Sequence, residues 1–259
     1  DSRLPARDPR PPTPDSRLET PDPRLPLSRK DTQRKDDAAA RAAVRPFKEL
    51  DLQAKEIYIR TLSLAKELLT TIDRPYMDKS EHFIGLADLI AYELPENPVI
   101  LYYTIHSTAD NYLYAHSANV AIISQAVGLA MGLEKSELSV LGFCALVHDI
   151  GMTTHSDLTD KDRRLTDEEF SVAIRHSEEG AAKLDRLLGL DPRLKERARK
   201  VMLQVHERID GTGYPEGLQN EEIDRLAQII GIVDVYEAMT HPRAWRPAAG
   251  MGDRKSTRL

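Results

Sequence analysis

The chain has 259 residues, is 41% hydrophobic and 30% charged, and carries a formal net charge of −6. That size and apolar content suffice for one sizeable domain plus extra segments. The acidic balance excludes general nucleic-acid binding, which needs a basic footprint. A single cysteine, Cys144, rules out an intramolecular disulfide and fits a reducing cytoplasm. No apolar run in this fragment is long enough to span a membrane, and no signal-peptide pattern is read.

Residues 1–46 hold more than half of the 16 prolines, and they echo themselves as DSRLPARDPRPP and PDSRLETPDPRLP. Few large apolar residues and many charges cannot build a core, so this segment is expected to be disordered. The near-repeat and the absent initiator methionine also admit misread upstream sequence. From Phe47 to about Glu93, FKELDLQAKEIYIRTLSLAKELL reads as amphipathic helix. This lead-in, 47–100, either packs on the domain, carries a dimer contact, or simply caps its N-terminus.

His116 opens the next helical segment, where Val120, Ile123, Val127 and Ala130 recur at helical spacing. In SVLGFCALVHDIGM an apolar helix runs to Val147 and meets His148-Asp149, with Gly151 as the expected stop. A buried carboxylate there needs a partner, since an unpaired one costs several kcal/mol or takes up a proton. A solvated aspartate beside a satisfied core histidine is the alternative. His176 follows Thr166 and Glu169, which form a capping-box pattern, and Gly180 one turn later permits close approach.

The stretch HERIDGTGYPEG is a turn-rich loop holding His206, Gly213, Tyr214 and Pro215. It is either an ordinary surface turn or a loop that brings backbone and an aromatic ring to a ligand. Asp234 lies among Ile229, Ile230, Ile232, Val233 and Val235, so it is salt-bridged, metal-bound or at a surface kink. Beyond Ala248 the tail AAGMGDRKSTRL has no periodicity, and DRKSTRL resembles translated sequencing adapter. Residues 248–259 are therefore expected to be non-native, with the natural domain cut near Ala248.

A lone histidine on a helix is more often structural than a ligand. Here His116, His148, Asp149, His176, His206 and Asp234 occur together, and none has another evident task. Neutral imidazole and ionised carboxylate suit Fe, Mn or Zn. Six such groups exceed one structural zinc site and suit two ions sharing a carboxylate, the arrangement that clamps a phosphoester.

HDIG at 148–151 followed by HERIDGTGYP at 206–215 resembles the HD-GYP family, a branch of the HD metal-dependent phosphohydrolases. The resemblance runs from about Tyr103 to Pro247 and takes in DNYLYAHSANVA and DVYEAMTHPRAWRP. It implies an all-α fold: an HD-type helical bundle with a GYP loop over 101–247. It also implies hydrolysis of a cyclic dinucleotide, cyclic di-GMP above all, at a centre of two divalent ions, Fe or Mn. On the family pattern the six residues named above are metal ligands, with Asp149 bridging and catalytic. Gly213, Tyr214, Pro215, Arg243 and Arg246 would meet the substrate. A homodimer or a fused sensor or receiver domain would be in keeping with it.

Three departures bear on turnover. Met152 stands where the family usually has the lysine of HDIGK. Val205 stands where a histidine usually precedes His206, so the second ion is short of a ligand. A glutamate that helps hold a third ion is replaced near Tyr112. The alternative is a degenerate HD-GYP module that binds a ligand or protein without turnover. A generic HD nucleotide phosphohydrolase is a third reading, but it leaves the GYP loop unexplained. His82, His106, His155 and His241 are expected to be surface or core residues.

Overall fold

Apolar residues at three- and four-residue spacing make Phe47–Thr71 a helix, α1, whose buried stripe is Ala54, Ile57, Tyr58, Thr61, Ala65, Leu68 and Leu69. The protein is seen here in a computed structural model that describes residues 45–74, 79–105, 112–159, 161 and 163–241. The expectations for 1–44, His106, Arg243, Arg246 and the tail lie outside the described residues, as does the side chain of Tyr112.

Helix α1 packs on α3 (Ile100–Ile105) and α4 (Tyr112–Ala130). Helices α2 (Ser80–Glu93) and α4 both lie against α5 (Lys135–Val147), an arrangement that buries Phe83, Leu86, Ile122, Leu141 and Phe143. Gln125 on α4 joins the three helices by donating from Nε2 to Ala87 O and Leu138 O, each at 3.0 Å. No strand occurs among the described residues; an isolated antiparallel bridge, Asp210 to Gln219, closes the loop that carries Gly211 and Gly213.

After α5 the chain makes a 3₁₀ helix, Ile150–His155, and short helices α6 (Ser156–Thr159) and α7 (Asp167–Ala173). Thr166 caps α7 reciprocally with Glu169, as its capping-box pattern predicts. Helix α8 (His176–Lys183) follows, then α9 (Pro192–Gln204) and α10 (Arg225–Thr240). Asp191 accepts from Arg193 N and Leu194 N and has Pro192 behind it, a cap-plus-proline start for α9. Lys183 Nζ and Arg186 Nη1 both donate to Asp73, at 3.0 and 2.7 Å, tying the end of α1 to α8 and the turn beyond it.

One local expectation needs correction, and two further local features bear on the site. Gly151 does not stop a helix in the left-handed region; the chain continues through it as the 3₁₀ turn. Its role is contact, because a Cβ there would lie 1.9 Å from His176 O and 2.7 Å from Gly180 N. The segment 167–183 is two helices, and the break at Ile174–Arg175 makes His176 the first residue of α8. Helix α10 is not buried all round: Ile232 and Tyr236 face outward, while Asp234 and Glu237 share the buried face with Ile230 and Val233.

Candidate metal centre

The elements carrying the six histidine and aspartate residues meet at one place. His116 comes from the second turn of α4, and His148 caps α5. Asp149 follows at φ −104°, ψ 15°, in the sparsely occupied bridge region where functional residues often sit. This turn lets adjacent side chains of the dyad bend toward a common point, which successive residues within a helix cannot do. His176 opens α8, His206 follows the end of α9, and Asp234 lies mid-way along α10.

Asp149 is the hub. Its Oδ2 is 3.5 Å from His116 Nε2, and its Oδ1 is 3.5 Å from His148 Nε2, 3.3 Å from His176 Nε2 and 3.9 Å from His206 Nε2. Asp234 reaches the cluster from the other side, 3.2 Å from His116 Nε2 and 3.8 Å from His206 Nδ1. Two groups of three donors result, His116–His148–Asp149 and Asp149–His176–His206, and Asp149 belongs to both. Ligand bonds of about 2.1 Å at tetrahedral or octahedral angles separate neighbouring donors by roughly 3.0–3.4 Å, close to these spacings.

Second contacts orient the rings. His148 Nδ1 donates to Ala145 O and His176 Nδ1 to Ala173 O, each at 2.7 Å, so each Nε2 turns to the cluster. His116 Nδ1 donates to Glu237 Oε2 at 2.6 Å. His148 Nε2 and Asp149 Oδ1 are buried without a hydrogen-bond partner among the described residues. A buried imidazole nitrogen facing a buried carboxylate oxygen, both unsatisfied, is what a cation would complete. The donor set therefore suits a divalent metal.

The electrostatics agree. Burial alone would raise the Asp149 carboxyl, but His148, His116 and His176 outweigh it and hold it well below the usual range. Asp234 is likewise lowered, burial being outweighed by His116 and then His206. Burial and the neighbouring His176 push His206 down to about 4. Both carboxylates are thus ionised and His206 is neutral at neutral pH, the states in which they bind metal.

The GYP loop is fixed against this cluster. The Tyr214 ring stacks on His206, centroids 4.9 Å apart and planes 18° from parallel, and Phe170 of α7 meets Tyr214 edge-on at 6.2 Å. Burial, then Asp149 and Asp234, push the Tyr214 phenol up, so its hydroxyl keeps its proton. A Cβ on Gly213 would lie 2.4–2.5 Å from Arg208 N, Glu207 Cα and His206 O, so only glycine fits. Glu207 clamps the loop from inside by accepting from Glu216 N, Gly217 N and Leu218 N. Pro215 is exposed. Val205 is buried in the apolar core and adds no donor, and Met152 packs on that core without supplying a cation.

Behind the ligands stand Glu237 and Asn119, which no motif marks in the sequence, and His241, a core residue. The available signal was spacing. Asn119 is three residues after His116 and Glu237 three after Asp234, each a polar residue on the ligand's own face of an apolar helix.

An HD domain family model matches residues 101–255. The chain belongs to the HD domain family. Its GYP loop puts it on the HD-GYP branch. The chain is 38% identical to a cyclic di-GMP phosphodiesterase of Pseudomonas aeruginosa over 170 residues, covering 64% of this chain and 39% of that one. It is 31% identical over 147 residues to 3'3'-cGAMP-specific phosphodiesterase 1 of Vibrio cholerae, covering 55% of this chain and 32% of that one. The chain spans less than half the length of the curated relatives it matches. Among solved structures, Bd1817 of Bdellovibrio bacteriovorus, described as a HDG"Y"P protein, shares the fold with a TM-score of 0.60 at 20% identity, covering 82% of this chain and 67% of that one.

Proposed function

We propose that this HD-GYP chain is a metal-dependent phosphodiesterase acting on a cyclic dinucleotide, with cyclic di-GMP as the substrate. The observation that carries the reading is Asp149, one carboxylate common to two adjacent three-donor groups. The relatives named for cyclic di-GMP and 3'3'-cGAMP supply the substrate class. In our reading residues 47–100 are a helical lead-in and 101–247 the catalytic domain.

His116, His148 and Asp234 would hold one ion with Asp149, and His176 and His206 the other, with Fe or Mn the metals proposed. Two divalent ions supply Lewis acidity toward a phosphoryl oxygen and make water acidic enough to attack at neutral pH, from a pKa of ~15.7 to ~7. The chain's own contribution is orientation and charge. Asp149 and Asp234 stay ionised beside imidazoles whose Nδ1 protons are engaged elsewhere, at His116, His148 and His176. Tyr214, protonated and stacked on His206, offers a hydroxyl donor and a ring edge beside the cluster. Arg243 and Arg246 would meet the phosphates with bidentate guanidinium geometry.

The three-donor second group and Met152 favour one competing reading, a module that binds the dinucleotide without cleaving it. The test is hydrolysis of cyclic di-GMP and of 3'3'-cGAMP by protein of measured metal content, with Asp149→Ala alongside. Linear dinucleotide from the wild type and none from the variant is expected. Tight binding of cyclic di-GMP with no product from metal-loaded protein would establish the module instead.

A further inference from the structure

A chain of hydrogen bonds runs from the lead-in helix to His116. Tyr58 Oη on α1 donates to Asn119 Oδ1 on α4 at 3.1 Å. Asn119 Nδ2 donates to Glu237 Oε1 on α10 at 2.9 Å, and His116 Nδ1 donates to Glu237 Oε2 at 2.6 Å. The four side chains lie in the interior: Tyr58 is 5% exposed, Asn119 0%, Glu237 1% and His116 1%. Glu237 also receives the ring of His241, whose Nδ1 is 3.3 Å from Oε1 and whose Nε2 donates to Thr104 O of α3 at 2.6 Å.

The direction of the chain matters. Tyr58 can give its proton only to an acceptor, which turns the amide oxygen of Asn119 toward α1 and its NH₂ toward Glu237. An ionised Glu237 only accepts, so His116 Nδ1 keeps its proton and donates it in a hydrogen bond to Oε2, which leaves the Nε2 lone pair facing Asp149 and Asp234. A carboxylate on the far nitrogen of a ligating imidazole fixes tautomer and ring angle and raises basicity.

We propose that Glu237 is a positioning residue for the metal centre, and that through Asn119 and Tyr58 it makes the lead-in helix α1 part of that centre's support. Displacing α1 breaks the Tyr58 bond and, through Asn119, loosens the grip of Glu237 on His116. A signal arriving through the segment before the domain thus registers as a change in metal affinity without touching a ligand. The inference rests on the metal-centre reading above.

The test is Mn²⁺ titration of metal-stripped protein, followed by calorimetry, with melting of the metal-free form measured in parallel. Glu237→Gln keeps the shape but removes the charge, and it should weaken Mn²⁺ binding roughly 10–100-fold, with Glu237→Asp recovering part of the loss. Tyr58→Phe removes one hydroxyl some distance from any ligand, and it should weaken binding several-fold while metal-free melting changes little. In the Glu237→Gln background Tyr58→Phe should add nothing, because the coupling runs through Glu237. Equal Mn²⁺ affinity in wild type and Tyr58→Phe, or additive losses in the double variant, would overturn the coupling. Unchanged affinity in Glu237→Gln would overturn the positioning role. A wild type that takes up no Mn²⁺, Fe²⁺ or Zn²⁺ would instead overturn the metal centre itself, and the inference with it.

Discussion

His176 Nε2 and His206 Nε2 stand 2.9 Å apart, with their rings 74° from parallel. Two imidazole lone pairs repel at that distance, so a proton or a cation must lie between them. Burial disfavours a charged His176, yet Asp149 beside it outweighs burial and raises its pKa, while His206 falls to about 4. In the metal-free protein the proton therefore resides on His176.

That assignment gives a pH dependence with a definite sign. A metal entering the Asp149–His176–His206 group displaces the His176 proton, so apparent affinity should fall as pH drops below the raised pKa. The slope approaches about tenfold per pH unit for one competing proton. Mn²⁺ titrations between about pH 6 and about pH 8.5 measure it, and a flat profile would mean that no proton is displaced. The raised His176 pKa also stabilises the metal-free fold on the acid side, and that contribution is lost as pH rises through the raised value.

Removing the hub should remove both ions. Asp149→Ala is expected to lower bound metal toward zero and cyclic di-GMP hydrolysis by at least ~10²-fold, judged from the ~10–100-fold cost of losing mere supporting contacts. His155→Ala is the contrast: His155 is buried 2.8 Å from Glu179 Oε2 and belongs to neither three-donor group. It should cost about 1–3 kcal/mol of stability and leave metal content as it was. Full metal retention by the Asp149 variant would end the bridging assignment.

The two glycines at the α8 contact should respond unequally. On Gly151 a methyl group meets backbone at 1.9 Å, which no rotamer relieves, whereas on Gly180 it meets the flexible Met202 Cε at 2.9 Å and comes no nearer to backbone than 3.0 Å, at Gly151 N. Urea unfolding should show Gly151→Ala destabilised by roughly 3 kcal/mol or more and Gly180→Ala by appreciably less. Comparable losses would mean that the backbone at Gly151 yields more readily than its packing implies.

Met152→Lys adds a cation beside the dyad but no ligand. Turnover of cyclic di-GMP should rise about tenfold, equivalent to ~1.4 kcal/mol of transition-state stabilisation, with metal content unchanged. A gain in bound metal without a gain in rate would place Met152 in support of the metal and not near the phosphate.

The helical architecture was legible because apolar residues repeat at helical spacing in α1 and α4, and because Thr166 and Glu169 spell out a cap. The candidate ligands stood out for a related reason: Asp149 and Asp234 are carboxylates inside apolar runs, where each must find a partner. The break before His176 was illegible, since FSVAIRHSEEG is continuous helical pattern and the close approach to Gly151 is a tertiary event. The hydrogen-bond chain behind His116 was hidden for the same reason. Tyr58 and Glu237 are 179 positions apart in sequence, and only the packing of α1 and α10 on α4 brings them to Asn119.

The candidate ligands come from α4, the end of α5, the start of α8, the turn after α9, and α10, places that the chain visits over more than a hundred residues. An ion held among them is a cross-link that the unfolded chain lacks. Each ion present at a hundred times its dissociation constant adds about 2.7 kcal/mol to the unfolding free energy. Melting temperature therefore reports on free metal: starved of ions, the domain should loosen first where α8 and α10 meet the dyad, so that loss of activity and vulnerability to proteolysis arrive together.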